Sequence, residues 1–420
     1  MAKVSGKAVI ANKEKSLSRE ENTSFVPYFI YMNDGVRVCA QACSCCWDKP
    51  IPDTYEGQVD YLGKRCKTGH TSVIEHSNLV MLIKFPYMVR DTNQIRDAIE
   101  ALSKNRYLNA TMSTDSNGVP YVLIGGSWRG YDFLFKMCRN ADQNSFLKAV
   151  AEILYDNVNS AIFIDLANDN ILNKDRFVNI EPDPSSIYFN PIPEKPFYED
   201  DKIKFVSVDS IKQIKYNLRT IIGEDIFTDD DLADMASITI LFKDMSRTAT
   251  HQLVRHRNAI TQESQRYVDY SNAAFADPTT FKPDKYDPDQ VYEITFGGQT
   301  FHMTSNELGE AIIGTYECMR NQGMLKEDAR SFLPGNVKCR KLYMTFTYRT
   351  FMKFLELRCH SAAQAEIRSF ALACRDASEE IFYDLGNSVR ILGVDEIISD
   401  KEVIMDNIIK SSEELNQTED

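Results

Sequence analysis

The chain has 420 residues, 43% of them hydrophobic, and a formal net charge of -13. That apolar content can bury a core of two or three domains, while the acidic balance argues against nucleic acid or an anionic membrane as the main partner. No run of about 18 apolar residues occurs and residues 1–24 lack a signal-like apolar stretch, so the chain reads as cytoplasmic, with no membrane segment.

Residues 1–24 form a polar segment, after which "CAQACSCC" places Cys39, Cys43, Cys45 and Cys46 close together. The nearest further ligands, Cys66 and His70, lack the paired spacing of a zinc site, so buried reduced thiols and no metal are expected. "VDYLGKRCKTGHTSVIEHSNLVMLIKF" reads as a helix, a polar turn and a strand near Asn78 to Phe85. Residues 85–235 read as an insertion or subdomain, and their "EPDPSSIYFNPIPEKPFYEDD" reads as a surface connection. A second strand, "ASITILFKD", begins at Ala236. Further on, "ADPTTFKPDKYDPDQ" is a loop, "YEITFGGQTFHMT" predicts a hairpin, and Thr304 with Glu307 forms a capping box opening a helix. A last helix is predicted from Ser361, with Gln364 in the box position, and residues 399–420 form an acidic tail whose end reads as disordered.

The densest cluster of cations and amides is "RHRNAITQESQRYVDYS", from Arg255 to Ser271. If Ser246 caps a helix through "SRTATHQLVRHR", Gln252, Arg255 and His256 stand at i, i+3 and i+4 on one face. Read as extended chain, "QESQRY" points Gln262, Ser264 and Arg266 to one side and turns Gln265 and Tyr267 away. Amide, hydroxyl and guanidinium groups brought together in this way suit a nucleotide phosphate and a base edge. For an arbitrary Arg-His-Arg the plainer reading is a solvated face with surface ion pairs.

This stretch resembles the signature of the flavin-dependent thymidylate synthases, with six residues between Arg257 and Ser264 where the family has seven. "GHTSVIEH", "EDARSFLP" and "TFTYRTFMKFLELRCHSAAQAEIR" resemble three further family segments in the same order. The resemblance places the family core at 25–84 and 236–398. It implies an α+β fold of helices on a mostly antiparallel sheet. It further implies that Gln252, Arg255, Gln262, Glu263, Ser264, Gln265, Arg266, Arg330 and Arg358 bind dUMP. Flavin adenine dinucleotide is implied to lie against His70, Ser72, Glu75, Arg255, His256, Arg257, Thr347, Tyr348, Arg349 and Lys353. Thr347 and Lys353 depart from the family's usual asparagine and asparagine or histidine.

The implied reaction converts dUMP to dTMP, with methylenetetrahydrofolate as carbon donor and NADPH reducing the FAD. Arg358 is the candidate catalytic residue, stabilising negative charge on the pyrimidine, in preference to its neighbour Cys359 as a nucleophile. A one-carbon transfer to another pyrimidine nucleotide, such as hydroxymethylation, and a non-catalytic flavin- and nucleotide-binding subunit are the alternatives. Arg349 and Arg358 lie nine residues apart, on opposite sides of a continuous helix, so either the helix breaks or they serve different sites. The second case fits the homotetramer with shared active sites that the resemblance implies. Finally, "GGSWRGYDFLFKM" echoes "TFTYRTFMKFLEL", setting Ser127, Trp128 and Arg129 over Thr347, Tyr348 and Arg349, which suggests an internal repeat.

Overall fold

The computed structural model describes residues 26–85, 99–100, 102, 105–137, 189–277, 281–282, 285–287 and 289–384. The polar segment 1–24 and the tail 399–420 lie outside them. Among the described residues no helix is long and apolar enough to cross a membrane.

The first sheet is built from β1 (Val26–Asn33), β2 (Leu79–Lys84), β3 (Leu108–Thr114), β4 (Pro120–Gly126) and the short β5 (Phe189–Asn190), in the order β3-β4-β2-β1-β5. β2 reads as an unbroken apolar run because both of its faces are covered. Leu79, Met81 and Ile83 enter one core, and Val80 and Leu82 the other. Each such side chain contributes about 1.5–3 kcal/mol of burial. Between β1 and β2 run α1 (Gly35–Trp47), α2 (Tyr55–Lys67) and a short 3-10 helix, Thr71–His76. α3 (Trp128–Met137) follows β4 directly.

The second sheet contains β6 (Tyr198–Glu199), β7 (Ile203–Val208), β8 (Ser237–Ser246), β9 (Ala259–Gln262) and β12 (Lys338–Thr347), in the order β6-β7-β8-β12-β9. α4 (Ile211–Ile222) and α5 (Asp229–Ala233) join β7 to β8, and α6 (Arg247–Leu253) follows β8. A two-residue Gly297-Gly298 loop, with both glycines at positive φ, closes the hairpin of β10 (Tyr292–Phe296) and β11 (Gln299–Met303). The Thr304 and Glu307 capping box then opens α7 (Ser305–Asn321), followed by α8 (Lys326–Ala329). β12 leads into α9 (Tyr348–Arg358), and α10 (Ala365–Asp384) ends the described chain. α10 begins four residues later than the sequence reading placed it, because residues 359–364 form bends and a turn. The fold is α+β, as the resemblance implied.

Residues 85–235 are not a separate unit among the described residues. β3 and β4 extend the first sheet, and β7 pairs with β8 in the second. Sequence reading missed this because strand partners distant in the chain leave no local mark.

The two sheets repeat one plan. The order β3-β4-β2-β1 is matched by β9-β12-β8-β7, and every neighbouring pair in both runs is antiparallel. Phe29 faces Met81 and Met32 faces Leu79, with a register shift between Phe29 and Tyr31. Phe205 faces Ile240 and Val208 faces Ile238, with the same shift between Phe205 and Ser207. The likeness extends to single hydrogen bonds. Asn78 N donates to Asn33 Oδ1 at 2.8 Å, and Ser237 N donates to Asp209 Oδ2 at 2.8 Å. Asp34 caps α1 through Arg37 N, and Ser210 caps α4 through Gln213 N, each at 3.2 Å. Each half's helices cover the other half's sheet: α1 sets Ala42 and Cys45 against Leu241 and Tyr343, while Ile214 and Leu218 of α4 share a core with Ile30 and Val80.

Candidate active site

Ser246 Oγ accepts from Ala249 N at 3.0 Å and starts α6, as its sequence suggests. Buried Glu366 anchors the turn by accepting from Ser246 N at 2.7 Å and from Ser246 Oγ at 2.6 Å. The helix tightens to a 3-10 turn over Val254–His256, and Arg257 at φ 56 turns the chain into β9. This geometry brings Gln252 and His256 to Arg358: its Nε donates to His256 Nε2 at 3.0 Å, and its Nη2 to the Gln252 carbonyl at 3.3 Å. The Gln252 amide pairs with Gln364. Arg255 stays exposed. Burial and the Arg358 charge push the His256 pKa down to about 4, so its ring is neutral at pH 7.

α9 runs unbroken from Tyr348 to Arg358, and its two arginines serve different surroundings. Arg349 donates to Asp234 Oδ1 at 2.7 Å and lies 3.1 Å from Asp230. Cys359 is 1% exposed, packed in the core that also holds Phe354 and Leu355. That placement argues against a nucleophilic thiol.

The extended reading of "QESQRY" holds only to Gln262. Tyr267 N and Val268 N both donate to Ser264 O, at 3.1 and 3.0 Å, and Arg266 N donates to Ser264 Oγ at 3.3 Å, which makes a turn. The cause is local: past the end of an edge strand, the serine hydroxyl offers the backbone an acceptor that the sheet does not. Alternation therefore fails. Gln265 faces the same cleft as Gln262 and Ser264, whereas Arg266 is exposed and 3.5 Å from Glu327.

That cleft has a volume of about 580 Å³ and lies at the predicted site. His70 and Ser72, at the 3-10 helix, line it on one side, Gln262, Glu263, Ser264 and Gln265, from β9 and the turn after it, form what is called its floor, and Arg330 also lines it. The end of α1 closes a corner, where Ser264 N donates to Cys46 O at 3.3 Å and Trp47 stacks on Tyr267 with ring centroids 5.5 Å apart. Sequence reading missed Trp47, Arg247 and His251, which also line the cleft. Arg247 and His251 were legible in part, as polar residues on the helix that Ser246 caps.

Arg247 Nη2 donates to the Glu263 carbonyl and to the Tyr270 hydroxyl, both at 2.6 Å. Glu263 is 1% exposed, and Arg340 Nε donates to its Oε2 at 2.9 Å. Three buried atoms here have no protein partner: Arg247 Nε, Gln262 Oε1 and Glu263 Oε1. A donor and two acceptors left unmatched beside one cleft call for a polar partner there, a bound water or a polar ligand.

The remaining flavin candidates are divided. Glu75, Arg257 and Thr347 line a smaller cleft of about 100 Å³, together with Arg106 and Tyr107. Glu75 is paired with Arg129, and burial raises its pKa. Lys353 is exposed on α9. Tyr348 is the correction: fully buried, with its hydroxyl donating to Asp209 O at 2.6 Å, its side chain cannot reach a cofactor.

Residues 218–382 match the family described as "Thymidylate synthase complementing protein". Proteins named "Flavin-dependent thymidylate synthase" are similar to this chain. That of Geobacter sulfurreducens is 33% identical over 156 residues, covering 36% of this chain and 62% of its own length. That of Pyrococcus furiosus is 33% identical over 167 residues, 39% of this chain and 61% of its own. That of Thermococcus kodakarensis is 33% identical over 165 residues, with the same two shares of 39% and 61%. The chain spans about three fifths of the length of these relatives.

Proposed function

We propose, from the match of residues 218–382 to the thymidylate synthase complementing proteins, that this chain is a flavin-dependent thymidylate synthase. It would convert dUMP to dTMP, with methylenetetrahydrofolate as carbon donor and NADPH as reductant of FAD, in the cytoplasm. The observation that carries the reading is the 580 Å³ cleft, where His70 and Ser72 meet Gln262, Ser264 and Arg330 beside three unmatched buried polar atoms.

In this reading the phosphate of dUMP sits by Arg330 and the Ser264 turn, where guanidinium and hydroxyl donors converge. Arg247 holds the turn through the Glu263 carbonyl and so positions the floor. A flavin fits the donor set of Arg257, Glu75 and Thr347 with His70 and Ser72, which offers guanidinium and hydroxyl groups to its phosphates and carboxylate to its hydroxyls. When bound, the flavin supplies the electrons that the carbon transfer requires. Arg358 stabilises charge developing on the pyrimidine, and neutral His256 fixes the guanidinium plane by accepting its Nε–H. Arg358, Gln252 and Arg255 stand outside the cleft of their own chain, the arrangement expected of a homo-oligomer whose sites are shared between chains.

The test is chemical. Purified protein should show flavin absorbance and, given dUMP, methylenetetrahydrofolate and NADPH, form a product with the mass of dTMP. A hydroxymethylated nucleotide, or a protein that neither retains nor binds flavin, would overturn the reading.

A further inference from the structure

The repeated plan of the two sheets lets each residue of one half be set beside its counterpart in the other. Leu79 faces Gly126 as Ile238 faces Phe346, and Asn109 faces Gly125 as Ala259 faces Thr345. Continuing along the strands, Thr111, Met112 and Ser113 fall at the places of Thr261, Gln262 and Glu263. Ahead of β2 and β8 the match continues: Glu75 pairs with Arg129 as Asp234 pairs with Arg349. Counted from these pairs, Asp229 and Asp231 stand where His70 and Ser72 stand. The cleft between the 3-10 helix and β9 therefore has a counterpart between α5 and β3.

The counterpart has the opposite chemistry. Thr111 Oγ1 donates to Asp231 Oδ1 at 3.1 Å, bridging the gap that stays open on the other side. There, His76 Nε2 lies 2.9 Å from Thr261 Oγ1 and leaves Ser72 facing the cavity. Residues 108–120 and 223–233 contain no lysine or arginine and carry Asp115, Glu224, Asp225, Asp229, Asp230 and Asp231. Among the described residues the cations that reach them are already engaged: Lys215 lies 2.9 Å from Asp229, Arg219 3.7 Å from Asp225, and Arg349 3.1 Å from Asp230. An anion would meet carboxylates here, whereas the open cleft offers Arg247 and Arg330.

We propose that the chain is an internally duplicated pair in which one of two equivalent clefts binds a nucleoside monophosphate and the other is closed to it. The amino-terminal copy supplies the wall of the working site through His70 and Ser72, and the carboxy-terminal copy supplies its floor and cations. In the second cleft the roles are exchanged, with Thr111 to Ser113 of the amino-terminal copy as floor and α5 of the carboxy-terminal copy as wall, and it does not accept an anion. The identity of the ligand rests on the function proposed above; the asymmetry rests on the two sets of residues.

Titration of flavin-loaded protein with dUMP should saturate at one molecule per chain. Gln262→Glu, which adds a carboxylate to the open floor, should weaken that binding at least about tenfold, as expected for a misplaced charge in a charged site. Met112→Glu, at the counterpart position on an exposed part of β3, should leave it unchanged. Two molecules per chain, or a Met112→Glu variant that loses binding while Gln262→Glu retains it, would overturn the asymmetry and leave the function standing. A folded, flavin-loaded protein that binds no dUMP in any form would overturn the function and, with it, the assignment of the open cleft.

Discussion

Arg358 donates to the Nε2 of His256 at 3.0 Å, and the imidazole accepts only as a neutral ring protonated at Nδ1. The pair fixes the guanidinium's orientation at the end of α9. Arg358→Lys keeps the charge and loses the planar fork. Both Arg358→Lys and Arg358→Ala should lower methyl transfer by about a hundredfold or more, the scale seen for lost transition-state donors. Flavin reduction by NADPH should persist in both, as stopped-flow absorbance would show.

Cys359→Ser should retain most of its turnover, because the Cys359 side chain is packed in the core at 1% exposure. A folded, ligand-binding Cys359→Ser protein without activity would instead favour nucleophilic catalysis and overturn the role given to Arg358.

Arg247→Met should act on the floor of the cleft. It removes the donor from the Glu263 carbonyl and the Tyr270 hydroxyl, a loss of about 1–3 kcal/mol in folding stability where buried groups go unmatched. Nucleotide affinity should fall as well. Denaturant titration and dUMP titration of the same variant check the two effects, and normal values in both would remove Arg247 from the site.

Stability should fall in acid through His76. The ring is fully buried between Thr345 Oγ1 and Thr261 Oγ1, each at 2.9 Å, and burial lowers its pKa from 6.5 to about 3. The folded protein therefore binds fewer protons than the unfolded chain in that window, so the contribution is complete above pH 6.5 and lost as pH falls toward 3. His256 acts in the same direction, down to about pH 4. Buried Asp209, raised to about 6, acts oppositely and loses its contribution as pH rises through that value. The difference between proteins is thus the useful measure. The urea midpoint of His76→Gln should change less between pH 7 and 4.5 than that of the parent protein, and equal changes would refute the assignment.

Sites shared between chains should show complementation. Arg358→Ala and Gln262→Glu proteins, each impaired alone at a dUMP concentration near the parent's KM, should regain part of the activity after mixing and subunit exchange, because a hybrid holds one site free of both changes. If the duplicated half stands in for a subunit, two chains supply the four units that the family resemblance implies. Light scattering should then give the mass of two chains, and four would refute that substitution.

Much of the chemistry was legible in the chain alone because it rests on local signals. The Ser246 cap, the Gly297-Gly298 hairpin and the Thr304 and Glu307 box each involve residues within a few positions of one another, and the structure has all three. The Arg-His-Arg cluster and the segments around His70, Arg330 and Arg358 carried the family resemblance by their order. The turn at Ser264 was misread because a sheet edge and a serine hydroxyl compete for the same backbone, and composition does not say which prevails.

What tertiary structure alone decided is which of these groups meet. Residues 108–126 and 203–208 have no sequence mark that assigns them to separate sheets, since a strand's partner is selected by side-chain burial across the whole chain. Tyr348 and Arg349 are adjacent on α9, yet one enters the core and the other reaches Asp234, a division set by the helix's rotation against the sheet. His70 and Ser72 stand beside Gln262 because α1 and the 3-10 helix of one half pack over the sheet of the other. The sequence determined the chemical groups, and long-range packing of two similar halves decided which cleft remained open to use them.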